Sequence, residues 1–192
     1  MILAVNNAKL RSLMMNLAVT DEKSGLLKRT SYLDVLLSET RRALAQGSTT
    51  SIMLLSFGKG SSLVKDVGGP AVETMMQQVG QSICSQIRQN DVAVRYDLTT
   101  IALILPDTTD KNCFFVVDKM RKALAGIKQA GSEKPLTVTV GIAEAVMLTR
   151  YDHIDIVTEV INRAEGALEA AKAEDINTAK SLAPLQVEAA VA

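Results

Sequence analysis

The sequence is poor in histidine and cysteine, has no excess of either charge and contains no long apolar run. There is one histidine, His153, and there are two cysteines, Cys84 and Cys113. A single imidazole supplies neither a Ser-His-Asp nor a Cys-His set. His153 sits beside Asp152 in a loop-like segment and reads as solvated. The cysteines fall in apolar helical patterns without metal-ligand spacing, as buried reduced thiols of a cytoplasmic protein do. Lys+Arg and Asp+Glu are both 21, so the net charge of +0 gives no general attraction to nucleic acid or an anionic membrane. No apolar run approaches the roughly 18 residues of a membrane span, and the N-terminus lacks a signal-peptide pattern. At 192 residues the chain is long enough for one well-packed domain and some extra helix.

What is present is a regular succession of elements. Leu3, Leu10, Leu13, Met14 and Leu17 form a narrow apolar stripe, predicting a helix that packs on the domain or pairs with a second chain. Asp21 to Leu26 follow as a turn, with Gly25 allowing the chain to bend sharply into the next helix. That helix is capped by Ser31 or Thr30, turns Tyr32, Leu36 and Leu37 inward and ends at Gly47. Ser51 to Phe57 reads as a buried central strand. The Gly-Lys-Gly-Ser piece from Gly58 hints at phosphate binding but lacks P-loop spacing, and Gly68-Gly69-Pro70 marks a break. A helix is expected from Ala71 to about Gln89, with its methionines as core filler. Asp110 is expected to cap another helix to about Gln129, Leu136 to Ala143 alternates as a strand, and a last helix runs from about Ile154 to Ala173. The segment after residue 178, without periodicity from Ser181, is expected to be a flexible tail over 179–192.

The chain is organised around Val92 to Pro106. Two β-prone runs, Val92 to Tyr96 and Thr100 to Leu105, flank the polar step Asp97-Leu98-Thr99, predicting a hairpin closed by Pro106. Asp-Leu is poor chemistry for a tight turn that wants positive φ; Asp97 tolerates that region and Leu98 much less. The frame Arg95-Tyr96, then Ala102, then Ile104-Leu105-Pro106-Asp107-Thr108, resembles the central hairpin of the GGDEF domain, the bacterial diguanylate cyclase fold. Asp21, Ser24, Gly25 and Leu26 resemble its entry motif, and Thr137, Val138, Gly141 and Ile142 its T-V-S-x-G-I strand. Ala164, Glu165, Ala167, Leu168, Ala171 and Lys172 resemble its last helix. The resemblance implies an α/β (α+β) fold related to the polymerase and nucleotidyl cyclase palm, with a mainly antiparallel five-stranded sheet flanked by helices. It divides the chain into a connecting helix over 1–20, of the kind that joins such domains to an upstream sensory domain, and a degenerate GGDEF domain over 21–178.

Joining two GTP molecules would need divalent metals held by carboxylates, since Mg²⁺ prefers hard oxygen ligands. The resemblance puts Ser56 at the metal aspartate, Gly58 at the second Asp, Ser61 at the phosphate lysine, and Val64 and Glu73 at the guanine contacts. Thr99 and Thr100 replace both acids of the turn, and Ile176 replaces an arginine after Lys172, which reads as a solvated helix residue. Neutral hydroxyls do not replace ionised carboxylates around magnesium. No catalytic residue, metal ligand or cofactor is therefore assigned.

One binding motif survives. Arg88-Gln89-Asn90-Asp91 matches the R-x-x-D that, in the family, binds the product cyclic di-GMP, and Lys119 falls where an arginine completes that site, with Arg121 nearby. Arginine grips phosphate or a guanine edge bidentately, and aspartate accepts from guanine. The alternative is structural: Arg88 at a helix end and Asp91 at a strand start. Three functions are thus in play. The first is a non-catalytic signalling module acting through a protein partner, an upstream sensory domain or a homodimer. The second is a cyclic di-GMP receptor using Arg88, Asp91 and Lys119, and the third a residual diguanylate cyclase.

Overall fold

The computed structural model describes residues 20–21, 24–58, 61–145, 153–175 and 177–184. The expected entry helix over 3–17, the side chains of Lys59, Ser61 and His153, Ile176 and the chain after 184 lie outside the described residues. Five strands are joined by helices: α1 (Tyr32–Ala45), β1 (Thr50–Ser56), α2 (Ser61–Val67), α3 (Gly69–Gln86), β2 (Val92–Arg95), β3 (Thr100–Pro106), α4 (Asp110–Leu124), β4 (Thr139–Ala145), α5 (His153–Glu174) and β5 (Ala179–Ser181). They form one sheet in the order β2-β3-β1-β4-β5. β1 pairs antiparallel with β3 and β4 along all seven of its residues, β2 pairs antiparallel with β3, and β5 pairs parallel with β4. The expected mainly antiparallel five-stranded sheet flanked by helices is what forms. No helix among the described residues is long and apolar enough to cross a membrane.

Every residue of β1 and β3 is buried, because helices cover both faces of the sheet. Met53, Leu55, Ile101, Leu103, Val140 and Ile142 meet α3 and α4 on one face. Ile52, Leu54, Ala102, Ile104 and Ala143 meet α1 and α5 on the other. Continuous apolar runs rather than alternation are what a doubly covered strand requires. Leu27 covers the β2 edge, donating to the Ala93 carbonyl and accepting from Arg95 N–H at 2.9 and 2.8 Å.

Two glycines are demanded by close approach. A Cβ on Gly141 would lie 2.3 Å from the Ala164 carbonyl oxygen and 2.4 Å from Leu168 N, so α5 rests its backbone directly on β4. A Cβ on Gly80 of α3 would lie 2.8 Å from Ser24 Cβ, where the Asp21–Leu26 turn packs on that helix. That turn holds itself: Ser24 Oγ donates to Asp21 Oδ2 at 2.5 Å, and Gly25 adopts φ +74°.

Several boundaries differ from the sequence expectation. α3 begins at Gly69, with Pro70 in its first turn, because a proline lacks only an N–H that the first turn leaves unpaired anyway. Gly68 at φ +85° makes the break, and α3 ends at Gln86 because Ile87 is extended. Thr109, not Asp110, caps α4, its hydroxyl accepting from Asn112 N–H at 3.4 Å. α4 stops at Leu124 rather than Gln129, since Gln129 N–H and Leu136 N–H enter a second small turn by bonding Lys134 and Ile127 carbonyls. Ser31 precedes α1 but makes no side-chain cap; a single 3₁₀ turn, Arg29–Ser31, leads in instead.

The segment expected to be a tail contributes structure through its first residues. β5 completes the sheet, and Leu182 N–H donates to the Ile142 carbonyl at 3.3 Å. Arg163 of α5 helps to hold it: buried, and paired to Glu159 through Nε and Nη2, it donates to the carbonyls of Glu144 and Leu182 at 2.5 and 3.0 Å. A buried guanidinium needs several acceptors, and the returning chain supplies one. We expect Gly141→Ala to destabilise the domain by about 3 kcal/mol in urea unfolding, since backbone cannot yield as a side chain does. Gly69→Ala, with nothing within 4 Å of the added methyl, should change stability by less than about 0.5 kcal/mol.

Candidate functional site

The hairpin loop joins β2 to β3 through Tyr96–Thr99. No residue of it has positive φ; among the described non-glycine residues only Asp107 and Asn177 do. The strain expected at Asp97 and Leu98 is avoided by side-chain support. Tyr96 and Asp97 N–H both donate to the Thr100 carbonyl, at 2.9 and 3.2 Å, and Asp97 Oδ1 accepts from Thr99 N–H at 2.8 Å. Such an Asx arrangement replaces the turn geometry that glycine would otherwise provide. Arg95 then closes the loop from below, donating to the Asp97 and Leu98 carbonyls at 2.8 Å each and pairing with Glu73 of α3 at 3.1 Å.

At the end of β1 stand the residues that the sequence resemblance sets at the family's metal-binding acids, and all are neutral. Ser56 lies directly opposite Thr100 on β3 and Thr139 on β4, on the face covered by α1 and α5. Ser56, Thr99 and Thr100 are buried, and the Thr99 carbonyl accepts from Phe57 N–H at 2.8 Å. Gly58 adopts φ +98°, a conformation that an aspartate occupies only under strain, and a Cβ there would meet Leu63 at 3.2 Å. Val64 packs on the core, and Glu73 is engaged by Arg95. Lys172 pairs with Glu169 at 2.9 Å on the outer surface of α5. Among the described residues no group of three or more His, Cys, Asp or Glu side chains could hold a metal ion.

The R-x-x-D motif lies beyond the C-terminus of α3. Arg88 N–H donates to Asp91 Oδ2 at 2.8 Å, and Asp91 N–H donates back to the Arg88 carbonyl at 3.0 Å, so the four residues form a closed turn into β2. Lys119 reaches from α4 to the Gln86 carbonyl at 2.5 Å. Arg88, Asp91 and Lys119 are thereby brought to one end of α3, with Arg88 and Lys119 exposed. Arg121 is not with them; its guanidinium donates to the Asn177 carbonyl on the opposite flank of α4.

Sequence reasoning missed the role of Arg95, although its place just before the loop was the available signal. It also missed how Tyr96 ties the hairpin to two helices. Tyr96 Oη donates to Glu165 of α5 at 2.5 Å, its ring meets Tyr32 of α1 edge-on at 5.3 Å, and the Arg29 guanidinium lies 4.8 Å above it. Burial, with Glu165 adding to it, pushes both phenols well above their ordinary range.

A five-stranded palm-like sheet with this hairpin beside the end of β1 defines a GGDEF-type domain. Residues 18–178 match the family described as diguanylate cyclase, GGDEF domain, and the chain belongs to that family. It is 24% identical over 165 residues to the response regulator PleD of Caulobacter vibrioides, covering 85% of this chain but only 36% of that protein's length. Among solved structures it resembles the diguanylate cyclase SiaD of Pseudomonas aeruginosa in complex with its activator SiaC, at TM-score 0.72 and 19% identity over 94% of this chain and 69% of that one. It also resembles the GGDEF domain of DgcB from Caulobacter crescentus in complex with c-di-GMP, at TM-score 0.71 and 21% identity over 85% and 93% of the two chains. The FimX GGDEF domain of P. aeruginosa matches at TM-score 0.71 and 16% identity, over 84% of this chain and 98% of that one.

Two outcomes follow from the loop chemistry. Arg95→Ala leaves two loop carbonyls and Glu73 without their donor and should cost about 1–3 kcal/mol in urea unfolding, whereas Glu73→Gln, which keeps the loop bonds, should cost less than about 1 kcal/mol. The folded phenols stay protonated above the unfolded value of 10.0, so their contribution is complete below that pH and is lost as pH rises above it. Phenolate absorbance from Tyr32 and Tyr96 should therefore appear together with alkaline unfolding; ionisation of both in the folded protein near pH 10 would contradict their burial.

Proposed function

We propose that this chain is a non-catalytic GGDEF module that conveys a signal through protein contacts. The observation that carries the reading is the buried, neutral Ser56–Thr100 pair at the end of β1. Attack of a GTP 3′-hydroxyl on an α-phosphate, with pyrophosphate leaving, needs metals to offset charge gathering on phosphate oxygens. Hydroxyls offer no charge to retain them, and the Gly58 conformation opposes an acid at the second position. In support of a protein partner, the structurally similar diguanylate cyclase SiaD is described in complex with its activator SiaC. On this reading residues 1–20 form the connecting helix, pairing with a second copy or an upstream sensory domain in the cytoplasm, and residues 21–178 form the signalling domain. Incubation of the protein with GTP and Mg²⁺ or Mn²⁺ should release no pyrophosphate and form no cyclic di-GMP above a protein-free control. Metal-dependent turnover would overturn the proposal.

A second reading, that the module also receives cyclic di-GMP, is favoured by the convergence of Arg88, Asp91 and Lys119 at the end of α3. The Arg88 guanidinium is exposed and suits a phosphate or guanine edge, Lys119 adds charge, and the Arg88 N–H fixes the Asp91 carboxylate in place. The GGDEF domain of DgcB, described with c-di-GMP bound, lends the reading further support. Calorimetric titration of cyclic di-GMP should give saturable heat with the wild type and at least about tenfold weaker binding with Arg88→Ala, the loss expected for a charge-assisted hydrogen bond. Absence of heat in the wild type would refute the receptor reading and leave the protein-contact reading standing.

A further inference from the structure

The chain has three phenylalanines, and only Phe57 is in the core. Phe114 and Phe115 stand side by side on α4 with 41% and 75% of their surfaces exposed. One exposed apolar residue needs no explanation, but two adjacent large aromatics on a regular helix make a patch of the kind that marks a contact surface. The contacts of α4 fix which way that patch faces. Cys113, Val117, Met120 and Leu124 form its core side. Lys119 reaches the Gln86 carbonyl at the end of α3 on one flank, and Arg121 donates to the Asn177 carbonyl before β5 on the other. At about 100° per residue, the outer arc between those flanks holds Lys111, Phe114, Phe115, Asp118 and Lys122. All five are exposed. Lys111 and Asp118 stand on a line that runs between the two rings, about 10 Å apart along the helix and too far to pair with each other. Neither side chain has an ion-pair partner among the described residues.

We propose that this face of α4 is the contact for a second copy of the same chain, laid antiparallel across a two-fold axis that passes between Phe114 and Phe115. The inference deepens the protein-contact reading by naming a surface and the partner that fits it. An isologous contact brings residue i of one copy to residue j of the other, and j to i. With the axis midway between positions 114 and 115, Phe114 meets Phe114 and Phe115 meets Phe115, each within one residue's rise of level. The same axis sets Lys111 of each copy opposite Asp118 of the other, since the two stand equally far from it, and two ion pairs bracket the rings. A parallel arrangement would set lysine against lysine and aspartate against aspartate, like charges at both ends. The net charge of +0 adds no overall repulsion between copies. Covering the four rings removes on the order of 400 Å² of apolar surface, the centre of an interface at the small, transient end of the range.

The test is sedimentation equilibrium of the full chain from low to high micromolar concentration, for the wild type, Phe115→Ala, Lys111→Glu, Asp118→Lys and the double variant Lys111→Glu with Asp118→Lys. The wild type should rise from monomer towards dimer mass with concentration. Phe115→Ala should weaken the dimer by about tenfold or more, as truncation of a central aromatic does. Each single charge reversal sets like charges together at both ends and should weaken it by about tenfold, whereas the double variant makes the same pairs in the opposite sense and should recover wild-type association. Because these side chains are exposed, thermal unfolding of every variant at low concentration should superimpose on that of the wild type, which separates a lost contact from a lost fold. A wild type that stays monomeric at high micromolar concentration, a dimer unchanged by Phe115→Ala, or a double variant that fails to recover association would each overturn the inference. Turnover of GTP is read separately: failure here leaves the non-catalytic reading standing, and metal-dependent turnover by a dimer that depends on Phe115 would remove that reading and keep this surface.

Discussion

The double burial of β1 is the constraint from which the rest of the molecule follows. A strand paired on both edges and covered on both faces has no solvent-facing position, so all seven of its residues must be small or apolar, or hold their hydroxyls to neighbours. Ser51 meets this demand by donating to the Thr108 carbonyl at 2.7 Å, and Thr50 by donating to the Glu39 carbonyl at 3.4 Å. Ser56, the last residue of the strand, stands in the row where the family resemblance would put an ion's first ligand. Neutrality at that end suits burial as well as acidity would suit a metal.

The hairpin beside it shows how side chains can hold a tight loop that contains no glycine. Arg95, Asp97 and the Thr100 carbonyl hold a glycine-free loop, and Tyr96 ties that loop to α1 and α5. The same strand pair is thus kept in register by side chains where backbone freedom would otherwise do the work. Arg95 also draws in Glu73, one of the few acids near the loop, and an acid held by a guanidinium is poorly placed to read a base.

Much of the fold was legible because its signals are local. The buried runs of β1 and β3, the apolar periodicity of α3 and α5 and the Pro106 stop each act within a few residues. The boundaries that shifted are set by distant partners. β5 has no periodicity of its own and forms because Arg163 and Ile142 bind the returning backbone. α4 ends early because Gln129 and Leu136 find other acceptors. At the candidate site the motif of Arg88 and Asp91 was legible and so was the position of Lys119, whereas the departure of Arg121 to Asn177 was not, being decided by where the C-terminal segment docks.

Arg163 has a mechanical side as well. Its guanidinium holds β4 through the Glu144 carbonyl and the chain after β5 through the Leu182 carbonyl, while β5 itself lies parallel to β4. Tension drawn along the C-terminal segment would load that clamp and the short β4–β5 ladder before reaching the interior of the sheet. The first thing such a pull would release is a three-residue edge strand, and with it the acceptor that keeps a buried cation satisfied. Inside α5 that release would leave Arg163 with its Glu159 pair and the Glu144 carbonyl but one acceptor short, so the strand's departure would register as a buried hydrogen-bond donor left open.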